Sequence, residues 1–148
     1  MPDLSRPDLT QFPPRSPRVK LGGYAHLPRL LDKARAFAAG KNGGYHYNCP
    51  LDRRFFDFTA IDHEAMLAEI KAGRTDTQML AWINARTSRQ PWEIAAWSEW
   101  LSQLGVGSAD MHEWFVAMIK GNAPDREDIT TFFDLLDLDD YVSYGGKG

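Results

Sequence analysis

The sequence predicts an all-α protein, and three observations carry that expectation. Apolar residues recur at helical spacing in segment after segment. Helix-start signals stand in front of most of those segments. The alternation of period two that marks a half-buried strand is almost absent. The expected architecture is a compact single-domain bundle of six or seven short helices behind a Pro-rich N-terminal arm. The arm covers residues 1–24 and the helical domain residues 25–148.

The arm contains Pro2, Pro7, Pro13, Pro14, Pro17 and then Gly22-Gly23. Proline lacks an amide hydrogen and fixes φ, so this spacing excludes a helix and spoils a central strand. The segment reads as extended, with a strand-like piece at Val19–Leu21. From Leu27 the pattern changes. Leu27, Leu30, Leu31, Ala34, Phe37 and Ala38 share one helical face, Pro28 suits the first turn and Gly40 ends the helix. The stretch from Lys41 to Pro50 is a turn followed by extended residues. Its Asn42-Gly43 pair is a hairpin signal whose flanks are too short to form strands alone.

A short helix follows from Pro50 to Phe58, with Asn48 as its expected cap. Asp62 caps the next, which Gly73 stops, and Ile61 with Met66 has hydrophobic-staple spacing. Thr75 and Gln78 form a capping box that opens a helix to Arg86. Pro91 begins another, which Gly105 ends. Its apolar residues, Trp92, Ile94, Ala96, Trp97, Trp100, Leu101 and Leu104, span about 200° at 100° per residue. An arc that wide predicts a central helix with a tryptophan-rich core, and Glu93 inside it reads as a first-turn acid favoured by the helix dipole. Ser108 or Asp110 opens a helix striped by Met111, Trp114, Phe115, Met118 and Ile119 and closed by Gly121. The last helix is expected from Ile129 to Leu138, and the residues after it as a tail.

Composition bounds the rest. The chain of 148 residues is 43% hydrophobic and 25% charged, a globular balance for one domain. Its single cysteine, Cys49, excludes an internal disulfide and any site with three or four thiolates. The longest apolar run, Trp114–Ile119, is six residues, far below the ~20 needed to cross a bilayer, so no membrane association is expected. The N-terminal residues lack the apolar core of a secretory signal, and a cytoplasmic location is the expectation.

Charge is unevenly distributed. Residues 1–41 hold eight basic side chains against three acidic ones, and residues 125–148 seven acidic against two basic. The two ends attract each other, so Arg15, Arg18 and Lys20 are expected to dock on the acidic C-terminal segment rather than on nucleic acid. The net charge of −3 points the same way.

Reactive motifs are sparse. No phosphate-binding loop, dinucleotide fingerprint, nucleophile elbow or zincin motif occurs. His46 and Cys49 are spaced as H-x-x-C, both usable as metal ligands, with His26 and His63 available to complete a set. The paired-ligand spacings of zinc sites are missing, so no metal and no cofactor is expected. Cys49 as a nucleophile would need His46 as its base, and the extended stretch between them need not bring the two together. Asp134, Asp137, Asp139 and Asp140 form an acidic cluster without the glycine and final glutamate of a calcium loop.

Several segments are distinctive in wording: PPRSPRVKLGGY (Pro13–Tyr24), LPRLLDKARA (Leu27–Ala36), YHYNCPLDRRF (Tyr45–Phe55), PWEIAAW (Pro91–Trp97) and FFDLLDLDDYVSYGGK (Phe132–Lys147). They resemble, over nearly the whole chain from Leu9 to Lys147, a family of short bacterial proteins known only as a domain of unknown function. The family differs in having Trp in place of Phe132 and Phe in place of Tyr144, both aromatic exchanges. The resemblance implies a bacterial, stand-alone domain and brings no activity, cofactor or site residue.

Three functions compete. The first is a non-catalytic helical module that binds another protein or its own copies, consistent with the aromatic content and the lack of a reactive constellation. The second is a small-ligand or metal-binding enzyme whose site joins the Tyr45–Cys49 segment to the Asp134–Asp140 cluster. The third is nucleic-acid binding through the basic arm, which requires free Arg15 and Arg18. The first is ranked ahead, and whether the protein is an enzyme stays open with the balance against it. The site candidates are His46, Cys49, Asp137, Asp140, Arg15 and Arg18.

Overall fold

The computed structural model describes residues 1–148 and is mostly helical. The chain enters through a minimal hairpin. Strand β1 (Lys20–Leu21) pairs antiparallel with β2 (Tyr24–Ala25), Lys20 opposite Ala25 and Leu21 opposite Tyr24. Gly22 and Gly23 make the turn with φ of 58° and 85°, the left-handed values that a tight hairpin imposes on both central residues. The strand-like piece expected at Val19–Leu21 is therefore half of a hairpin. Its partner is two residues long, too short for alternation to reveal it.

Helix α1 (Leu27–Ala38) is the centre of the molecule. Nine of its residues are buried. Leu27, Leu30, Leu31 and Ala34 enter the main apolar core, and Arg29, Asp32 and Lys33 are buried beside them. Helix α2 (Pro50–Thr59) starts after Cys49, which is its N-cap; Asn48 lies one residue earlier and turns the chain with a φ of 62°. Helix α3 (His63–Lys71) is capped by Asp62, which accepts from the Ala65 amide at 2.9 Å, and the staple residues Ile61 and Met66 are both buried. Helix α4 (Asp76–Asn84) carries the Thr75–Gln78 capping box, with reciprocal bonds of 3.2 and 2.9 Å.

Helix α5 (Pro91–Ser102) differs from expectation. Trp97, Ile94 and Leu101 are buried, but Trp92 is 72% exposed and Trp100 46%. The helix lies on the surface, and its arc is wide because two indoles face outward. Apolar periodicity cannot tell an outward tryptophan from an inward one, nor foresee that charged residues would share the centre with α1. Glu93 does sit in the first turn, accepting from the Gln90 amide at 2.7 Å and pairing with Arg89.

Helix α6 (Ala109–Asn122) is capped by Ser108 and packs chiefly on α7 (Phe132–Ser143). Helix α7 starts later and ends later than its periodicity indicates. Thr131 caps it, bonding reciprocally with Asp134, and no glycine interrupts it before Gly145, whose φ is 97°. Asp139, Asp140 and Tyr141 are thus helical rather than tail residues.

Two apolar clusters result. The larger joins the hairpin with α1 to α5 and Phe133; the smaller joins Phe115, Ala123, Ile129, Leu135 and Leu138. The N-terminal residues lie on this body. Pro7, Leu9, Pro14 and Pro17 are buried. Arg15 forks between Asp32 and Asp76, at 3.0 and 2.8 Å. Arg18 reaches Asp134 and Asp137, and Ser16 donates to Asp137 at 2.7 Å. No helix is long and apolar enough to cross a membrane.

Candidate functional site

Four residues from the start of α1 and of α2 build a buried polar network. His26, just before α1, donates from Nε2 to Asp52 Oδ1 at 2.7 Å. Lys33, two turns further along α1, donates to the other oxygen of Asp52 at 2.9 Å, to the His46 carbonyl at 3.0 Å and to Cys49 Sγ at 3.2 Å. An ammonium has three hydrogens, so Lys33 is saturated. His26, Lys33 and Asp52 are almost wholly buried and Cys49 is partly so.

Burial alone would raise the Asp52 pKa; His26 and Lys33 outweigh it and hold the carboxyl down at about 2. Burial also lowers the pKa of His26, against the pull of Asp52, so its ring is neutral at physiological pH. With the proton on Nε2 facing a carboxylate, Nδ1 carries a bare lone pair. That atom is buried and has no partner. His26 also has a φ of 69°, a left-handed value costly for a residue with a Cβ.

A second network lies beside the first. Arg29 of α1 grips Asp140 of α7 with two bonds of 2.7 and 3.2 Å. Tyr45 donates to Asp140 Oδ1 at 2.7 Å, and its ring lies under the Arg29 guanidinium at 5.5 Å. Burial, then the Asp140 carboxylate, pushes the Tyr45 phenol far above its usual pKa, so it stays a donor. Tyr144 closes the group through its hydroxyl to the Leu9 carbonyl.

Both networks face one cavity of about 1050 Å³. Its polar side carries His26, Arg29, Lys33, Arg54, Tyr45 and Cys49. Its apolar side carries Leu104, Met111, Trp114, Met118, Phe132 and Leu135 from the α5–α6 connection, α6 and α7. Protein interiors are packed with few voids larger than a water molecule, so a space of this size is not a packing defect. It lies just above the ~300–1,000 Å³ range of small-molecule sites.

The six candidate residues are divided by the fold. His46 and Cys49 line the cavity. Asp140 stands behind it and acts through Arg29 and Tyr45. Asp137, Arg15 and Arg18 lie on the side covered by the N-terminal segment, away from the lining. No three His, Cys, Asp or Glu side chains converge as a metal site. The residues that sequence reasoning passed over are Arg29, Lys33, Arg54 and Asp52, and His26 entered it only as a spare ligand for a metal set. A signal existed: His26, Arg29 and Lys33 follow at i, i+3 and i+7, one polar stripe at helical spacing.

Fold and site together define a small helical protein with a buried ionic network at the base of a half-apolar cavity. The chain belongs to the family described as Domain of unknown function (DUF5069), whose model matches residues 11–142. No curated protein matches it.

Proposed function

We propose that the protein binds a small amphipathic molecule, with an apolar body and an anionic end, in the cavity between α1–α2 and α6–α7. The observation that supports this reading is the division of the cavity into two unlike walls. Methionine, tryptophan, phenylalanine and leucine on one side suit a flexible or planar apolar body. On the other side Arg29 and Lys33 are held by their own carboxylates. Arg54, whose guanidinium lies over the Trp100 ring at 5.7 Å, forms no ion pair and is the lining cation left for an anionic group.

Decanoate is a suitable probe. Saturable binding by calorimetry, accompanied by quenching of the Trp114 contribution to fluorescence, is the expected result. Arg54→Ala is expected to weaken decanoate by about tenfold, the value of one charge-assisted contact. Leu136 of α7 also lines the cavity, and Leu136→Arg, which puts a charge among its apolar residues, is expected to abolish binding. Failure of decanoate and of longer and shorter homologues to bind overturns the reading.

A second reading, a protein-interaction module, has its own support on α5. Trp92, Ala95, Ala96 and Trp100 are exposed on one side of that helix. Concentration-dependent association lost in a Trp92→Ala, Trp100→Ala double variant would favour it. Arg15 and Arg18, on which the nucleic-acid reading rests, are occupied by aspartates.

A further inference from the structure

We propose that the cavity's ligand donates a hydrogen bond to Nδ1 of His26, so that it carries an O–H or N–H group in addition to its anionic end. This rests on the small-ligand reading above and adds the chemistry of the group recognised. The class is that of hydroxy acids or N-acyl amino acids with a long apolar part.

Three observations converge on that atom. First, His26 is 1% exposed, lines the cavity, and its Nδ1 has no hydrogen-bond partner in the protein. Buried polar atoms are nearly always paired, so an orphaned acceptor at a cavity needs a reason. Two other buried polar atoms lack partners, Tyr24 Oη and Trp82 Nε1, but neither residue lines the cavity. Second, the proton has one place. Asp52, held ionised by Lys33, accepts from Nε2 at 2.7 Å, and burial keeps the ring neutral, so Nδ1 offers a lone pair and no proton. Third, the backbone at His26 is left-handed, where glycine or asparagine would sit with less strain. Strain of this kind is found where a side chain must be held in one direction.

The two buried cations of that wall are already engaged. All three hydrogens of Lys33 have acceptors, and Arg29 is forked onto Asp140. Nδ1 is the one fully buried side-chain polar atom of the lining that has no partner, and Arg54 is the lining cation outside any ion pair.

The test compares decanoate with β-hydroxydecanoate, titrated by calorimetry, while nitrogen NMR follows the His26 ring. Adding a hydroxyl to a molecule entering an apolar cavity weakens binding unless an acceptor waits for it. The expected result is that β-hydroxydecanoate binds about tenfold tighter than decanoate, that it alone moves the Nδ1 resonance, and that His26→Phe removes the preference. Phenylalanine keeps a ring in place and supplies no acceptor, whereas the amide oxygen of a glutamine could still accept. Equal or weaker binding of the hydroxy acid overturns the inference, while decanoate binding leaves the cavity reading intact. A preference that leaves Nδ1 unmoved assigns the acceptor elsewhere and overturns it too. If neither acid binds, the cavity reading falls and the inference with it. The NMR readout on the unaltered protein decides the matter even where His26→Phe does not fold.

Discussion

Arg29 and Asp140, 111 residues apart in the chain, form a two-pronged ion pair at 2.7 and 3.2 Å that is nearly closed to water. The pair ties α1 to α7 and holds Tyr45 in place. Removing one partner of a buried pair strands the other charge, which costs about 3–5 kcal/mol. Arg29→Met is expected to lower stability by that amount in chemical denaturation. Arg29→Met combined with Asp140→Leu is expected to cost less than Arg29→Met alone, because no charge is then left unpaired.

Stability is expected to fall in two stages on acidification. His26 has a folded pKa below its ordinary 6.5, so below pH 6.5 the unfolded chain takes a proton that the folded protein refuses. Stability is full above that value and declines as pH drops beneath it. Asp52 has a folded pKa of about 2 against 3.8 when free. Its contribution, on the order of 2 kcal/mol, is present above pH 3.8 and lost between 3.8 and about 2. Urea unfolding as a function of pH measures both stages. His26→Gln is expected to flatten the first and leave the second.

The N-terminal segment is expected to be structural. Met1–Arg6 are exposed, whereas Pro7, Leu9, Pro14 and Pro17 are buried. Deleting residues 1–6 is expected to leave Tm nearly unchanged, and deleting residues 1–24 to lower it strongly. Arg15→Ala removes bonds to both Asp32 and Asp76. Because Arg15 is 38% exposed, water screens that pairing, and a loss of about 1 kcal/mol is expected, shrinking in high salt.

The two faces of α5 are expected to respond differently. Trp97 is buried, stacked on Phe58 with ring centroids 5.0 Å apart. Trp97→Ala is expected to cost about 3–5 kcal/mol. Trp92→Ala, on the exposed face, is expected to change stability by less than about 0.5 kcal/mol. Equal losses in thermal unfolding would contradict the placement of the helix.

The hairpin turn is expected to be sensitive. A Cβ at Gly22 would fall on the Leu80 side chain and would also sit at a φ of 58°. At Gly40 the φ is 69° but nothing lies within 4 Å. Gly40→Ala is expected to cost about 1 kcal/mol, the left-handed penalty alone, and Gly22→Ala more than that. Tm of the two variants makes the comparison.

Much of the fold is legible from local rules. Asp62, Thr75 and Ser108 cap their helices as their spacing indicates, because a cap is a contact between residues two or three apart. Misjudged ends have local causes too: Asn48 and Cys49 compete for one cap, and the length of α7 depends on Gly145 as its stop. The site was less legible. His46 and Cys49 stand out because histidine and cysteine are rare and chemically marked. Arg29 and Lys33 do not, because charged residues at helical spacing ordinarily face water, and His26 is marked by its chemistry but its partner Asp52 is not.

The sequence by itself determined the all-α class, most helix starts, the attraction between a basic beginning and an acidic end, and the family. Each follows from interactions within a few residues or from summed charge. Only the tertiary structure decided that α1 rather than α5 is central, that Asp52 and Asp140 reach across to neutralise its charges, and that His26 is left with an unpartnered lone pair at a cavity. Burying a charge requires a partner, and no periodicity names a partner that lies 19 residues away for Lys33 or 111 for Arg29. The cavity itself exists only where α1 and α2 fail to meet α6 and α7, a property of packing between elements and of no single element's sequence.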